Sequence, residues 1–150
     1  MAKRTGGGKR NDRLNCPVHF ALEIFGDRWT LLVIRDLMFM GKRHFHEFIE
    51  SPERIASNVL AARLKKLERQ GLISRHRDPD NRKQVIYELT EKGLDLLPTL
   101  LEVIRWSGKY DPDTAAPRNF LDRAATDRDG LMRDLTAAAK QRKPVVGGRS

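Results

Sequence analysis

The spacing of apolar positions along this chain changes character several times, and each change marks an element. Val18, Ala21, Leu22 and Phe25 recur at helical intervals after Pro17, and Gly26 closes that segment. Asp27 stands where a second helix would be capped. The run "RWTLLVIRDLMFM" (Arg28 to Met40) that follows is apolar nearly all round, as expected of the central helix of a small bundle, and Gly41 stops it. In "HFHEFIES", Phe45, Phe48 and Ile49 predict a short third helix that Pro52 closes. A fourth helix is read in "RIASNVLAARLKKLERQGLISR" (Arg54 to Arg75), stopping at Gly71, with Ala56, Leu60, Leu64 and Leu67 on its inward stripe.

Beyond Gly71 the period shortens. "LISRH" and "QVIYELT" are β-like runs joined by "RDPDNRK", whose Pro, Asp and Asn favour a turn, so a β-hairpin with a charged tip is predicted. Thr90 then reads as the N-cap of a long helix from Glu91 to Tyr110, bent at Pro98. It carries two stripes: Leu94, Leu97, Leu101 and Ile104, then Leu96, Leu100 and Val103. Two stripes require two partners, and the second exceeds what one small domain can cover, so Leu96, Leu100 and Val103 are assigned to a homodimer interface. "DPDTAAP" reads as a linker before a last amphipathic helix with Phe120, Leu121, Leu131 and Leu135 and a frayed basic end. The organisation expected is a flexible basic arm at residues 1–15, a mainly α domain with a small hairpin at 16–110, and a linker plus helix at 111–150.

Charge sharpens this division. Lys and Arg number 29 against 20 Asp and Glu, a net charge of +9 that points to a polyanionic partner. The excess is local: residues 1–15 hold 5 bases and 1 acid, and residues 41–84 hold 11 and 6. Within the second stretch, the outward face of the fourth helix carries Asn58, Ala61, Ala62, Lys65 and Arg69 with no acid among them. Small alanines there leave the backbone free to approach a partner closely, whereas a solvated face usually mixes both signs. Short helix, turn, helix and charged hairpin is the order of a winged helix-turn-helix, whose second helix enters the major groove of double-stranded DNA. The wing bases Arg77, Arg82 and Lys83 could then grip phosphate, although Asp78 and Asp80 could equally neutralise them in a solvated turn.

Other chemistries find little support. No apolar run approaches the roughly 18 residues needed to span a bilayer, and the basic N-terminus lacks a following apolar signal segment, so a cytoplasmic protein is expected. Cys16 and His19 are three apart, and His44 and His46 flank Phe45, but residues two apart on a helix diverge, so no metal and no cofactor is expected. Neither HExxH, GxSxG nor a phosphate-cradling glycine loop occurs, and a Cys16/His19 nucleophile and base would lack an orienting third group. The chain is therefore not expected to be an enzyme; a Cys/His metalloenzyme stays as a remote alternative, distinguished by stoichiometric metal.

The stretches "CPVHFALEIFGDRWTLLVIRDLM", "KRHFHEF", "IASNVLAARLKKLERQGLISR", "YELTEKGLDLLPTL" and "WSGKY" resemble, in order and spacing, the HxlR-type, MarR-like bacterial transcription regulators. The resemblance implies a dimeric winged-helix protein that binds a pseudo-palindromic operator. It places Ser57, Asn58, Ala61, Ala62 and Lys65 at base-facing positions, and Arg43 and Arg63 at the family's recurrent arginines near the DNA backbone. Arg63 has a second reading as a buttress of the helix pair. Ala56 departs from the family, which often has a capping Ser there; Ser57 could cap one residue later. Cys16 matches the cysteine that opens the family's first helix, which some members use to sense electrophiles or oxidants, so a redox or small-molecule effector is open. A buried packing cysteine fits the same residue equally well. A nucleoid-type protein binding all DNA alike is the alternative function, separated by the ratio of operator to random-DNA affinity.

Overall fold

The computed structural model describes residues 15–142. All of the predicted 1–15 arm except Asn15, and the end of the basic tail, lie outside them. The described chain runs α1 (Pro17–Phe25), α2 (Thr30–Phe39), α3 (Phe45–Ile49), α4 (Ser57–Arg69), β1 (Ile73–Arg77), β2 (Val85–Leu89), α5 (Glu91–Leu94), α6 (Leu97–Tyr110), α7 (Arg118–Thr126) and α8 (Arg128–Lys140). The strands form an antiparallel hairpin with Ile73 opposite Leu89, Arg75 opposite Tyr87 and Arg77 opposite Val85.

α2 is the axis of the fold, burying Val33, Ile34, Leu37, Met38 and Phe39 among its neighbours. Asp27 starts it as expected: its carboxylate accepts the Trp29 and Thr30 N–H groups at 2.8 and 3.0 Å and the Thr30 hydroxyl at 2.5 Å. Burial pushes the Asp27 carboxyl up, but these hydrogen bonds and the nearby Arg63 charge outweigh it and hold it below the usual carboxylate range.

α4 is shorter than its apolar pattern suggests. Arg54 is left-handed at φ 57°, and Ala56 is extended, so the chain stays in a turn and the helix begins at Ser57. Ala56 is consequently exposed rather than part of the inward stripe, which comprises Leu60, Leu64 and Leu67, while Ile55 is buried ahead of it. Nor does Ser57 cap: Ala56 holds the cap position and no side chain bonds the first amides. The helix closes at Gly71, whose φ of 74° lets the chain reverse into β1.

The long helix predicted from Glu91 is two helices. Thr90 caps α5 through the Gly93 N–H, and Pro98 opens α6 instead of bending it, because a proline's missing N–H and fixed φ suit a first turn. The C-terminal segment likewise divides, at Asp127, whose carboxylate caps α8 through Gly130 N–H at 3.1 Å. Ala124, Leu131, Leu135 and Ala139 belong to the same hydrophobic core as α2, α4 and α6. Leu100 is only 4% exposed within that core, so it cannot face a partner as the two-stripe pattern proposed. Leu96 is half-buried, and Val103 alone of that stripe is exposed.

Candidate nucleic-acid interface

The outward face of α4 begins with Ser57 and Asn58 and continues through Ala62, Lys65 and Arg69, all exposed, with Ala61 partly covered. α3 and the turn preceding α4 support it from behind, which is the helix-turn-helix arrangement. Three leucines fix the rotation of α4 about its axis; a separate polar cluster fixes its entry.

That cluster lies under the turn. Asp36 is 3% exposed, and its carboxylate accepts from Arg35 Nε at 2.9 Å and Lys42 Nζ at 3.3 Å, with the Ser51 hydroxyl also donating to it. Lys42 donates to Ser51 Oγ at 2.6 Å, and Arg35 reaches across to Glu53 with contacts of 2.5 and 3.1 Å. One end of this cluster is in α2 and the other in the turn whose next residue is the left-handed Arg54. Burial works against the Arg35 charge, yet the hydrogen bonds to Glu53 and Asp36 raise its proton affinity, and the Arg35 bond lowers the Glu53 carboxyl. These residues escaped sequence reading because Arg35 and Asp36 lie inside an apolar run and find partners 15 to 18 residues away.

Arg63 is half-buried, with its guanidinium 3.6 Å from Asp27. This puts Arg63 of α4 within ion-pair distance of the residue that leads into α2. Arg43 is also half-buried, and its carbonyl accepts the Tyr87 N–H of β2 at 2.8 Å.

Arg77, Arg82 and Lys83 are exposed at the outer end of the hairpin, and the Arg77 guanidinium donates to the Arg82 carbonyl at 2.8 Å. Asp78 does not neutralise them. It is 5% exposed, accepts the Asp80 N–H at 2.9 Å, and meets His44 Nε2 at 2.8 Å. His44 Nδ1 meets Glu47 at 2.9 Å, and the His44 and His46 rings stack at 5.7 Å instead of diverging. Cys16 is exposed in the single chain, at the N-cap position of α1. Among the described residues, no three His, Cys, Asp or Glu side chains are grouped to hold a metal ion, and no helix is long and apolar enough to cross a membrane.

A helix-turn-helix with an exposed basic reading face and a hairpin beside it defines a winged-helix DNA-binding protein. The HxlR-like helix-turn-helix family matches residues 24–115, and the chain belongs to that family. It is 35% identical over 100 residues to the uncharacterized HTH-type transcriptional regulator YdeP of Bacillus subtilis, covering 67% of this chain and 77% of YdeP. Its fold is similar to the crystal structure of PA1607, a putative transcription factor, with TM-score 0.63 and 34% identity over 71% of this chain and 75% of that one. The reduced form of the transcriptional regulator YodB from B. subtilis matches with TM-score 0.54 and 33% identity, covering 66% of this chain and 97% of YodB. The chain is a transcriptional regulator of the HxlR type, and these comparisons indicate no enzymatic family.

Proposed function

We propose that this regulator binds a pseudo-palindromic operator as a homodimer, reading bases with α4 and gripping the backbone with the wing. The observation that carries this reading is the acid-free face of Ser57, Asn58, Ala61, Ala62 and Lys65, presented by a helix whose rotation and entry are both fixed from behind. Asn can pair with an adenine edge and an alanine methyl can meet thymine. Arg77, Arg82 and Lys83 take the phosphate role, Arg43 flanks them, and Arg63 acts through Asp27 rather than on DNA. Selecting bound sequences from random DNA tests it: an inverted repeat should emerge, and equal binding to all sequences would favour an architectural protein instead.

Dimerisation is supported by where apolar surface remains. Val18, Phe20 and Leu22 on α1 and Val103, Trp106 and Tyr110 on α6 are the exposed large hydrophobics of the described residues, between 47% and 68% exposed. A second copy covering these helices relocates the interface from Leu100 to Val103, Trp106 and α1. Trp106→Glu is expected to yield monomer by light scattering. Leu100→Glu is expected to unfold the chain, because its side chain is in the core.

Cys16 opens α1 two residues before Val18, beside that seam. YodB has been solved in quinone-bound and diamide-treated forms, which supports reading the exposed Cys16 as an electrophile or oxidant sensor here. Diamide should change DNA affinity of the protein, and Cys16→Ser should abolish the change.

A further inference from the structure

Among the polar contacts between the hairpin and the rest of the chain, one has an unusual composition. Both nitrogens of the His44 ring lie against carboxylates, Nδ1 at 2.9 Å from Glu47 of α3 and Nε2 at 2.8 Å from Asp78 at the end of β1. A carboxylate only accepts, so both contacts are hydrogen bonds only when both ring nitrogens carry protons, that is, when the ring is an imidazolium. Neither carboxylate is idle otherwise: Glu47 also accepts the Arg43 N–H at 2.9 Å, and Asp78 the Asp80 N–H at 2.9 Å. His44 therefore joins three things, the entry to the helix-turn-helix, the segment that bonds β2, and the turn that presents Arg82 and Lys83. Resting on the reading that the wing grips phosphate, we propose that charged His44 is the positioning residue that fastens the wing over DNA, so that neutralising it loosens backbone grip without altering base recognition.

The groups facing the ring are Glu47 and the stacked His46 from α3, and Asp78 from the hairpin; Asp80 and Arg77 flank Asp78 in the turn. The two negative partners raise the proton affinity of His44, chiefly through the Glu47 and Asp78 hydrogen bonds, against partial burial. The sign follows: the fastening is complete below the ordinary value of 6.5 and is lost as pH rises through the raised one. His44 lies in the segment before α3 and Asp78 is 34 residues further along, so the pair is invisible to local sequence patterns.

The test uses the full chain and a random-sequence duplex, since phosphate contacts are sequence-independent. The His44 ring is followed by NMR from about pH 6 to about pH 9, and duplex affinity is measured over the same range. Expected are a His44 ring that titrates above its ordinary value and affinity that weakens by about tenfold as it does. His44→Asn and Asp78→Asn should each flatten that step, and His46→Asn and His76→Asn should retain it. A raised ring titration with no matching affinity step, alongside a clear loss of affinity in Arg82→Ala, overturns the fastening while leaving the wing reading intact. Unchanged affinity and salt dependence in Arg77→Ala, Arg82→Ala and Lys83→Ala overturns the wing reading itself, and the ring titration then reports a wing contact without a DNA role. A ring that titrates at or below its ordinary value overturns the charged pair outright.

Discussion

The reading helix is held from beneath by Leu60, Leu64 and Leu67 and at its entry by the Arg35, Asp36 and Glu53 cluster, whereas the outer wing meets the scaffold through His44 and the Tyr87 to Arg43 bond. The first kind of support is hydrophobic and ionic, and the hydrogen bond between Arg35 and Glu53 favours the charged form of both partners. The second includes a proton-dependent contact, the His44 ring between Glu47 and Asp78, beside the Tyr87 backbone bond and the packing of Tyr87 against Phe48. Under the function proposed above, a DNA-binding surface built this way would separate its two tasks. Base recognition requires an unvarying helix, while phosphate grip tolerates adjustment, because phosphates repeat along every sequence.

The strongest way to break the comparison is to remove the buried carboxylate. Asp36→Ala removes the buried acceptor shared by Arg35, Lys42 and Ser51, leaving Arg35 with Glu53 and Lys42 with Ser51, and is expected to cost about 3 kcal/mol, read from urea unfolding. Stability unchanged within experimental error would mean that the leucines alone define α4. Next in size is Asn58→Ala, with an expected loss of about 1–3 kcal/mol per half-site for the cognate base and less for operators already altered there. Uniform weakening across sequences would move base reading elsewhere. Asp27→Ala removes a cap and the partner of Arg63, for about 1 kcal/mol of stability at neutral pH. Since the folded carboxyl is held below its ordinary 3.8, that difference should be present above 3.8 and close as pH falls through the lowered value. The smallest effect belongs to Arg82→Ala. It should lower affinity evenly and reduce the slope of log affinity against log salt by about 1 per lost phosphate contact, or about 2 per dimer. A change in base preference instead would assign the wing a reading role.

Periodicity made the helices, the hairpin and the α4 leucine stripe legible, because each repeats a local rule every two to four residues. What stayed hidden depends on distant partners. Two adjacent stripes on α6 gave no means of choosing which one the chain itself would cover; the choice fell to Leu100 because the C-terminal helices join the same core. The breaks before α6 and at Asp127 escaped notice for a different reason: capping and proline effects compete with apolar spacing that continues across them. Of the candidate interface, the exposed α4 residues were readable as a face, but the Arg63 ion pair was not, because its partner Asp27 lies 36 positions earlier in the chain.

The packing of α8 against α2 also orders events during synthesis. Leu131, Leu135 and Ala139 help cover a helix that emerges roughly 100 residues earlier, which at about 5–20 residues per second is on the order of 5–20 s of translation. Throughout that interval the apolar axis of the nascent chain lacks part of its final cover. Arg142 and Lys140 then pair with Glu88 of β2 and Glu91 of α5, so the last described residues to leave the ribosome also tie down the base of the wing.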